Sequence, residues 1–171
     1  MDVVSLETGR LVLRGFVESD VDAVAWLLAE PRVMRYIEDG KPVSRADVER
    51  VVLPKLLGGG WWAAHLKGSG DFIGWFELSA AGGGVAELGY RLHPDHWGRG
   101  YAAEGAAALV EHGRATGLTR VVAYAMAVNT GSRRVLEKVG LAHVRTFHEE
   151  WPDYIEGAEH GDVEYALDLA R

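Results

Sequence analysis

The chain has no cysteine among its 171 residues. That excludes disulfides, thiolate metal sites and a cysteine nucleophile, and it fits a cytoplasmic protein. No apolar run approaches the roughly eighteen residues that cross a membrane. The start, "MDVVSLETGR", lacks the basic-then-apolar pattern of a secretory leader. Basic residues are the minority: Lys and Arg number 18 against 25 Asp and Glu, a formal charge of −7. A nucleic-acid binder needs a basic field, so that class of partner is excluded; an acidic surface suits cationic partners such as amines, and also plain solubility. Arginine over lysine, with abundant alanine and glycine, suits a GC-rich bacterial source.

What is present reads as one α/β domain spanning 1–171. "GRLVLRGF" (9–16) alternates like a strand. Ser19 is expected to cap a helix that Pro31 closes. Ser44 and Asp47 resemble a capping box opening a second helix, which Pro54 bends or shortens. "WWAAHLK" and "DFIGWFELSA" read as strands joined by "GSG", and "VAELGYRLH" (85–93) as a fourth. A helix from Tyr101 to Thr116 follows, then a buried strand (119–128) and a short helix ending at Gly140. Two final strands flank the long loop "EEWPDYIEGAEHG". The order is β-α-α-β-β-β-α-β-α-β-β, a mixed seven-stranded sheet flanked by helices, with no internal repeat.

The most informative stretch is "HPDHWGRGYAAEGAAALVEHG" (93–113). A strand that turns tightly into a helix exposes the unpaired N–H groups of the first helical turn at the positive end of its dipole. Gly98 and Gly100 remove side chains that would block an anion, Ala102 and Ala103 keep the entry small, and Arg99 adds charge. The plainer alternative is a turn whose glycines only satisfy backbone angles. A P-loop string is absent. "GRGYAA" matches a dinucleotide fingerprint, but "LTRVVAYAMAV" (118–128) lacks the acid that would hold a ribose.

The whole chain resembles the GNAT acetyltransferases. "WGRGYA" (97–102) fits the family signature with Trp97 at its first position, as in the RimJ/RimL-like branch of ribosomal-protein N-terminal acetyltransferases. "RLVLRGF", "AELGYRLHPDHWGRGYAAE", "NTGSRRVLEKVGL" and "DVEYAL" extend the likeness. The resemblance implies acetyl-CoA as co-substrate, entering between two central parallel strands of a splayed sheet. It implies that Tyr90, Arg91 and Leu92 offer backbone bonds to the pantetheine and acetyl group. Trp97, Gly98, Arg99, Gly100, Tyr101, Ala102 and Ala103 then cradle the pyrophosphate, and Asn129 meets the pantetheine. A turn-initiating role for Asn129 is the alternative.

The implied reaction is direct attack of a primary amine on the thioester, the acceptor being a small molecule or a protein N-terminus. An α-amino group titrates near about 7.7–8.0, so making it neutral at pH 7 costs about 1 kcal/mol; a lysine near 10.4 costs about 4.6 kcal/mol. A base therefore helps the first and is nearly indispensable for the second. By alternation Val85, Glu87, Gly89 and Arg91 share one face of the fourth strand, which makes Glu87 the first candidate; an ion pair with Arg91 is the structural alternative. A bulge in the strand would shift that parity. Glu149 and Glu150 are further candidates, and Glu104 most simply complements the helix dipole. Many relatives protonate the leaving thiol with a tyrosine whose position here is Leu136. Ser132 takes that role by resemblance, or serves only as a helix cap.

His93 and His96 lack metal-site spacing, so no metal is expected. Trp61, Trp62, Trp75 and Phe76 read as core. Trp26, Tyr36, Trp151 and Tyr154 are candidates for the acceptor cleft. The chain is expected as a monomer or homodimer, and a non-catalytic acyl-CoA sensor is the competing function.

Overall fold

The structure is a computed structural model that describes residues 3–150 and 154–169. Its strands are β1 (Leu6–Glu7), β2 (Leu11–Gly15), β3 (Trp61–Leu66), β4 (Phe72–Gly82), β5 (Val85–Leu92), β6 (Arg120–Met126), β7 (Ala142–Phe147) and β8 (Asp162–Asp168). They form one mixed sheet in the order β1-β2-β3-β4-β5-β6-β8-β7. The expected sheet had seven strands; the eighth is β1, a two-residue edge pairing Leu6 with Leu13 and Glu7 with Val12, too short to leave a periodic signal. Every neighbouring pair is antiparallel except β5 and β6.

The helices are α1 (Val21–Leu28), α2 (Pro31–Met34), α3 (Arg45–Asp47), α4 (Leu53–Leu57), α5 (Tyr101–Ala115) and α6 (Thr130–Val139). Among the described residues none is long and apolar enough to cross a membrane. Ser19 does not cap α1. Instead Asp20 closes a short 3₁₀ turn, accepting from Val17 N at 2.8 Å and from both Arg14 terminal nitrogens at 2.8 and 2.9 Å. Ser44 does cap its helix, accepting from Asp47 N at 3.2 Å. That helix changes hand-over at Pro54: residues Val48–Val52 form a π turn before α4. Pro54 lacks an N–H and would crowd the carbonyl four residues back, and widening the preceding turn removes the conflict.

Strand alternation divides the core between the two faces of the sheet. On one face Trp62, Phe76, Ala86 and Leu88 pack with Leu109 and Val110 of α5 and Leu136 of α6. On the other, Ala63 and Trp75 pack with Val24, Leu27 and Leu28 of α1, Met34 of α2, and Leu56 of α4.

Helix α5 lies against β4 because Gly105 has no side chain: a Cβ there would strike the ring of Phe76, which is fully buried. Helix propensity would favour Gly105→Ala by up to about 1 kcal/mol, whereas overpacking a core costs about 1–3 kcal/mol. The second effect should win. Gly105→Ala is expected to unfold at lower temperature and lower urea concentration than the parent, and an unchanged or raised melting point would mean that α5 can lift off the sheet at no cost.

Candidate active site

The parallel pairing of β5 with β6 covers only Val85↔Arg120, Ala86↔Val121 and Glu87↔Val122. Both strands run on, to Leu92 and Met126, without further pairing. The sheet is therefore split from Leu88 onward, and Glu87 stands at the apex of the split. Register with β4 runs unbroken from Ala80↔Ala86 to Gly74↔Leu92. No bulge intervenes between Glu87 and Leu92, so Glu87, Gly89 and Arg91 do share a face.

That regularity also decides which backbone groups face the opening. His93 N donates to Ile73 O at 2.8 Å, and Arg91 pairs with Trp75 with its carbonyl close over Gly74. By alternation the main-chain groups of Tyr90 and Leu92 turn toward the split. Arg91 was expected to offer backbone bonds there as well; its backbone faces β4, and only its side chain reaches the opening. The Leu92 carbonyl already accepts from the Trp97 indole N–H at 2.7 Å, which leaves Leu92 its N–H.

Two clefts meet at this split. One, of ≈ 600 Å³, lies at the mouth of α5 and is lined by Tyr90, Leu92, Trp97, Gly98, Gly100, Tyr101, Ala102, Ala103, Asn129 and Ser132. Its charged lining consists of Arg32, Arg35, Arg91, Arg134 and Lys138, with no carboxylate among the described residues. In a chain of charge −7 that segregation is a strong local departure. Gly100 caps α5 at φ +82° without a side-chain hydrogen bond, and Glu104 N is the first amide bonded back, to Gly100 O. The N–H groups of Tyr101, Ala102 and Ala103 therefore point outward at the positive helix end, and no atom within 4 Å would meet a side chain added at Gly98. Arg99 is exposed at the turn and does not line the cleft.

A feature that sequence reasoning missed braces this mouth. Arg10 stacks over the Tyr101 ring at 4.3 Å, and its Nε donates to Glu104 Oε1 at 2.8 Å. Glu104 also accepts from Thr8 Oγ1 and Arg10 N. Burial opposes its charge, but these donors outweigh burial and hold its carboxyl below the usual range. Glu104 thus ties β2's approach to α5 besides complementing the dipole.

The second cleft, of ≈ 890 Å³, opens on the α1–α4 side with a mixed charged lining, seven carboxylates that include Glu77, Glu87, Glu149 and Asp162 against five cations that include Lys55 and Arg91, among aromatic walls from Tyr36, Trp61 and Trp75. Tyr36, Tyr90, Arg91, Asn129 and Ser132 line both clefts, so the two communicate through the split. Glu149 lines it and Glu150 does not. Tyr154 is 73% exposed and bonded to Glu159, and Trp26 stacks on His93 at 4.0 Å; neither reaches the clefts. Trp151 lies outside the described residues. Trp62, Trp75 and Phe76 are core, whereas Trp61 is half-buried at the cleft with Lys55 over its ring at 5.3 Å.

Asn129 caps α6, its Oδ1 accepting from Ser132 N at 3.2 Å, so its amide nitrogen remains as a donor. Ser132 is thereby not itself the cap. Its Oγ lies 3.4 Å from Tyr90 Oη, a long and weak bond spanning the split. Burial pushes the Tyr90 phenol up, against the hydrogen bond to Ser132, so it stays protonated. Leu136 is buried beneath. Glu77, diagonal to Glu87 on the adjacent strand, went unnoticed in the sequence; it accepts from Ser79 Oγ at 2.6 Å. Desolvation first, and then repulsion from Glu77, raises the Glu87 carboxyl above its ordinary range, with Lys55 opposing.

An open mixed sheet parted at two parallel strands, with bare helical amides and a cationic lining at one mouth and a mixed-charge cleft holding Glu87 at the other, is the architecture in which the family comparison falls. Residues 10–142 match the acetyltransferase (GNAT) domain family, and the chain belongs to it. It is 29% identical over 179 residues to the FsC-acetyl coenzyme A-N(2)-transacetylase of Aspergillus fumigatus, covering 95% of this chain and 75% of that one. The crystal structure of a GNAT-family acetyltransferase from Bacillus anthracis superposes with a TM-score of 0.86 at 27% identity, covering 97% and 99% of the two chains. RimL, the ribosomal L7/L12 alpha-N-protein acetyltransferase in complex with coenzyme A, superposes at 0.81 with 20% identity over 98% of each chain, a likeness of fold.

The raised Glu87 carboxyl has a consequence for stability. A folded-state pKa above the unfolded one favours the folded state at low pH, and that contribution disappears as pH rises through the folded value. Glu87→Gln, which never ionises, should match the parent in acid and be the more stable of the two at neutral pH. Urea midpoints at several pH values would measure this; a variant less stable at pH 7 would mean that Glu87 is held by an attraction instead.

Proposed function

We propose that this chain is an N-acetyltransferase that takes acetyl-CoA in the cationic cleft and a primary amine in the carboxylate-bearing one, acting as a single domain. The observation that carries the reading is the cleft at the mouth of α5, whose charged lining among the described residues is wholly cationic around the outward amides of the first helical turn, and which opens at the split onto the cleft that holds Glu87. Coenzyme A supplies an activated thioester on a long arm ending in phosphates. The residues present suit it: outward N–H groups at Tyr101, Ala102 and Ala103 for the diphosphate, Arg134 and Lys138 for further phosphate charge, and Tyr90, Leu92 and Asn129 for the amide-bearing arm.

Glu87, at the apex on the amine side, serves as the base. Its raised carboxyl makes it a better proton acceptor than a surface glutamate once ionised, and closer in pKa to an α-amino group. The amine nitrogen bonds to the acetyl carbon, the carbon–sulfur bond breaks, and the proton lost by nitrogen passes to Glu87. Tyr90 and Ser132 donate hydrogen bonds to the departing sulfur. A thiol near about 8.5 is a weaker base than a phenolate near about 10, so the phenol shares its proton rather than surrendering it. Because the Tyr90–Ser132 bond is long, exchanging it for bonds to sulfur costs little. A tyrosine from β5 thus stands where Leu136 on α6 offers no proton. An acyl-CoA sensor would need neither the apical carboxylate nor paired hydroxyls at the split.

Thiol release from acetyl-CoA with a panel of amines tests the reading directly, and silence across the panel alongside tight coenzyme binding would favour the sensor instead. Tyr90→Phe and Ser132→Ala should each lower kcat by about tenfold or more while leaving coenzyme affinity within about twofold, since one donor to a developing charge is worth several kcal/mol at most. Turnover equal to the parent in both would remove the hydroxyls from the mechanism.

The acid limb of kcat/KM should fall above the ordinary glutamate range near about 4.3 and rise with pH, because the ionised form is the active one. Glu87→Gln should abolish that limb and recover partly in alkaline buffer. A limb that survives the substitution would move the role to Glu149 or Glu77.

A further inference from the structure

We propose that Arg91 anchors a carboxylate on the acceptor, so that the preferred substrates are amino carboxylates rather than plain amines or polyamines. The proposal deepens the acetyl-transfer reading and rests on it for the identity of the cleft.

The Arg91 side chain is 21% exposed and lies on the face of β5 that carries Glu87 and Gly89. Its guanidinium sits 5.0 Å from the centre of the buried Trp75 ring, and Nη1 points to the Met34 sulfur at 3.8 Å, a weak acceptor. The nearest carboxylate among the described residues is Glu38, with Oε1 3.8 Å from Nη2, beyond hydrogen-bond length, on a side chain 69% exposed. The contrast with Arg14 is direct: comparably placed at 34% exposure, it holds Asp20 through two bonds of 2.8 and 2.9 Å. Arg91 has five N–H donors and no charge-assisted bond among the described residues, and it lines both clefts.

Glu38 reaches this place from an unusual backbone. Among the described residues it is the only non-glycine with a left-handed φ, +50°, in the segment between α2 and α3. Such a conformation is costly for a side-chain-bearing residue and persists where the surroundings impose it. Its carboxylate is a partial stand-in at the rim of the cleft, too distant to satisfy the guanidinium and solvated enough to leave.

The Glu77 side chain lies over the floor between the two charges. Gly89 lies between Glu87 and Arg91 on the strand face, and a Cβ there would come within 3.0 Å of Glu77 Oε2. Along this face the order is therefore the Glu87 carboxylate, Gly89 with the Glu77 carboxylate over it, then the Arg91 cation. Glu87 and Arg91 are four residues apart, ~13 Å along the strand, and Gly89 and Arg91 ~7 Å. A molecule with an ammonium at one end and a carboxylate several bonds away complements both. A polyamine would meet repulsion at Arg91, and an alkylamine would leave its donors unanswered.

The test compares straight-chain amino carboxylates of three to six carbons with their carboxamides and with the matching alkylamines. The parent should show a kcat/KM at least about tenfold higher for the carboxylates. Arg91→Gln should bring the carboxylate-to-carboxamide ratio to within twofold, with Arg91→Lys between. Glu38→Gln should lower KM for the carboxylates two- to fivefold by removing the competing anion. Carboxamides or alkylamines used as well as carboxylates by the parent, or a ratio that persists in Arg91→Gln, would overturn the proposal. Calorimetric titration of 6-aminohexanoate into the coenzyme-saturated protein reads the anchor without turnover: binding by the parent that Arg91→Gln loses supports it, and absent or undiminished binding refutes it. Failure of thiol release with every amine would instead count against acetyl transfer, with the titration still deciding the anchor.

Discussion

The feature on which the rest depends is a ladder of hydrogen bonds that stops. Strands β5 and β6 pair over three residues and then part, leaving the main-chain groups of Tyr90 and the N–H of Leu92 turned toward an opening inside the sheet. A buried peptide group without a partner costs about 1–3 kcal/mol, so such a split survives only where water or a ligand can answer those groups. On the proposed reading, the amide-bearing arm of the coenzyme would answer them in the manner of a missing strand. The fold is in this sense built around a vacancy in its own hydrogen bonding, and the two cores on either face keep the flanking strands from closing it.

Electrostatics then give the split a direction. The chain is acidic as a whole, yet the described lining at the mouth of α5 carries five cations and no carboxylate. On the opposite face the lining is mixed, seven carboxylates with five cations, and there Glu77 and Glu87 repel one another while Ser79 donates to Glu77. Burial and that repulsion raise the Glu87 carboxyl above its ordinary range. The two clefts meet where Tyr36, Tyr90, Arg91, Asn129 and Ser132 line both.

The architecture distributes its special residues accordingly. Gly98 and Gly100 leave the start of α5 bare, Gly105 lets α5 sit close against Phe76, and Gly89 makes room for the Glu77 carboxylate on the far side. Arg10, Thr8 and Glu104 fasten the start of the chain to the start of α5. Asn129 spends its oxygen on capping α6 and keeps its amide nitrogen for the opening.

Much of this was legible in the residues alone. Alternation located the long strands, the turn at 98–100 and the helix after it followed from local backbone chemistry, parity put Glu87 forward as a candidate, and the family resemblance put forward Asn129 and Ser132. Those features depend on neighbours within a few positions, where steric and hydrogen-bonding rules act directly. The rest depended on partners far apart in sequence. Alternation could not tell that Tyr90 would reach Ser132, 42 positions on, or that Glu77 would fill the space above Gly89. Nor could it tell that Arg91 would turn its backbone to β4 and leave its side chain without a close carboxylate. Strand order and register decide such meetings, and they are set by the balance of the whole core and its hydrogen-bond ladders, which no short stretch of sequence contains.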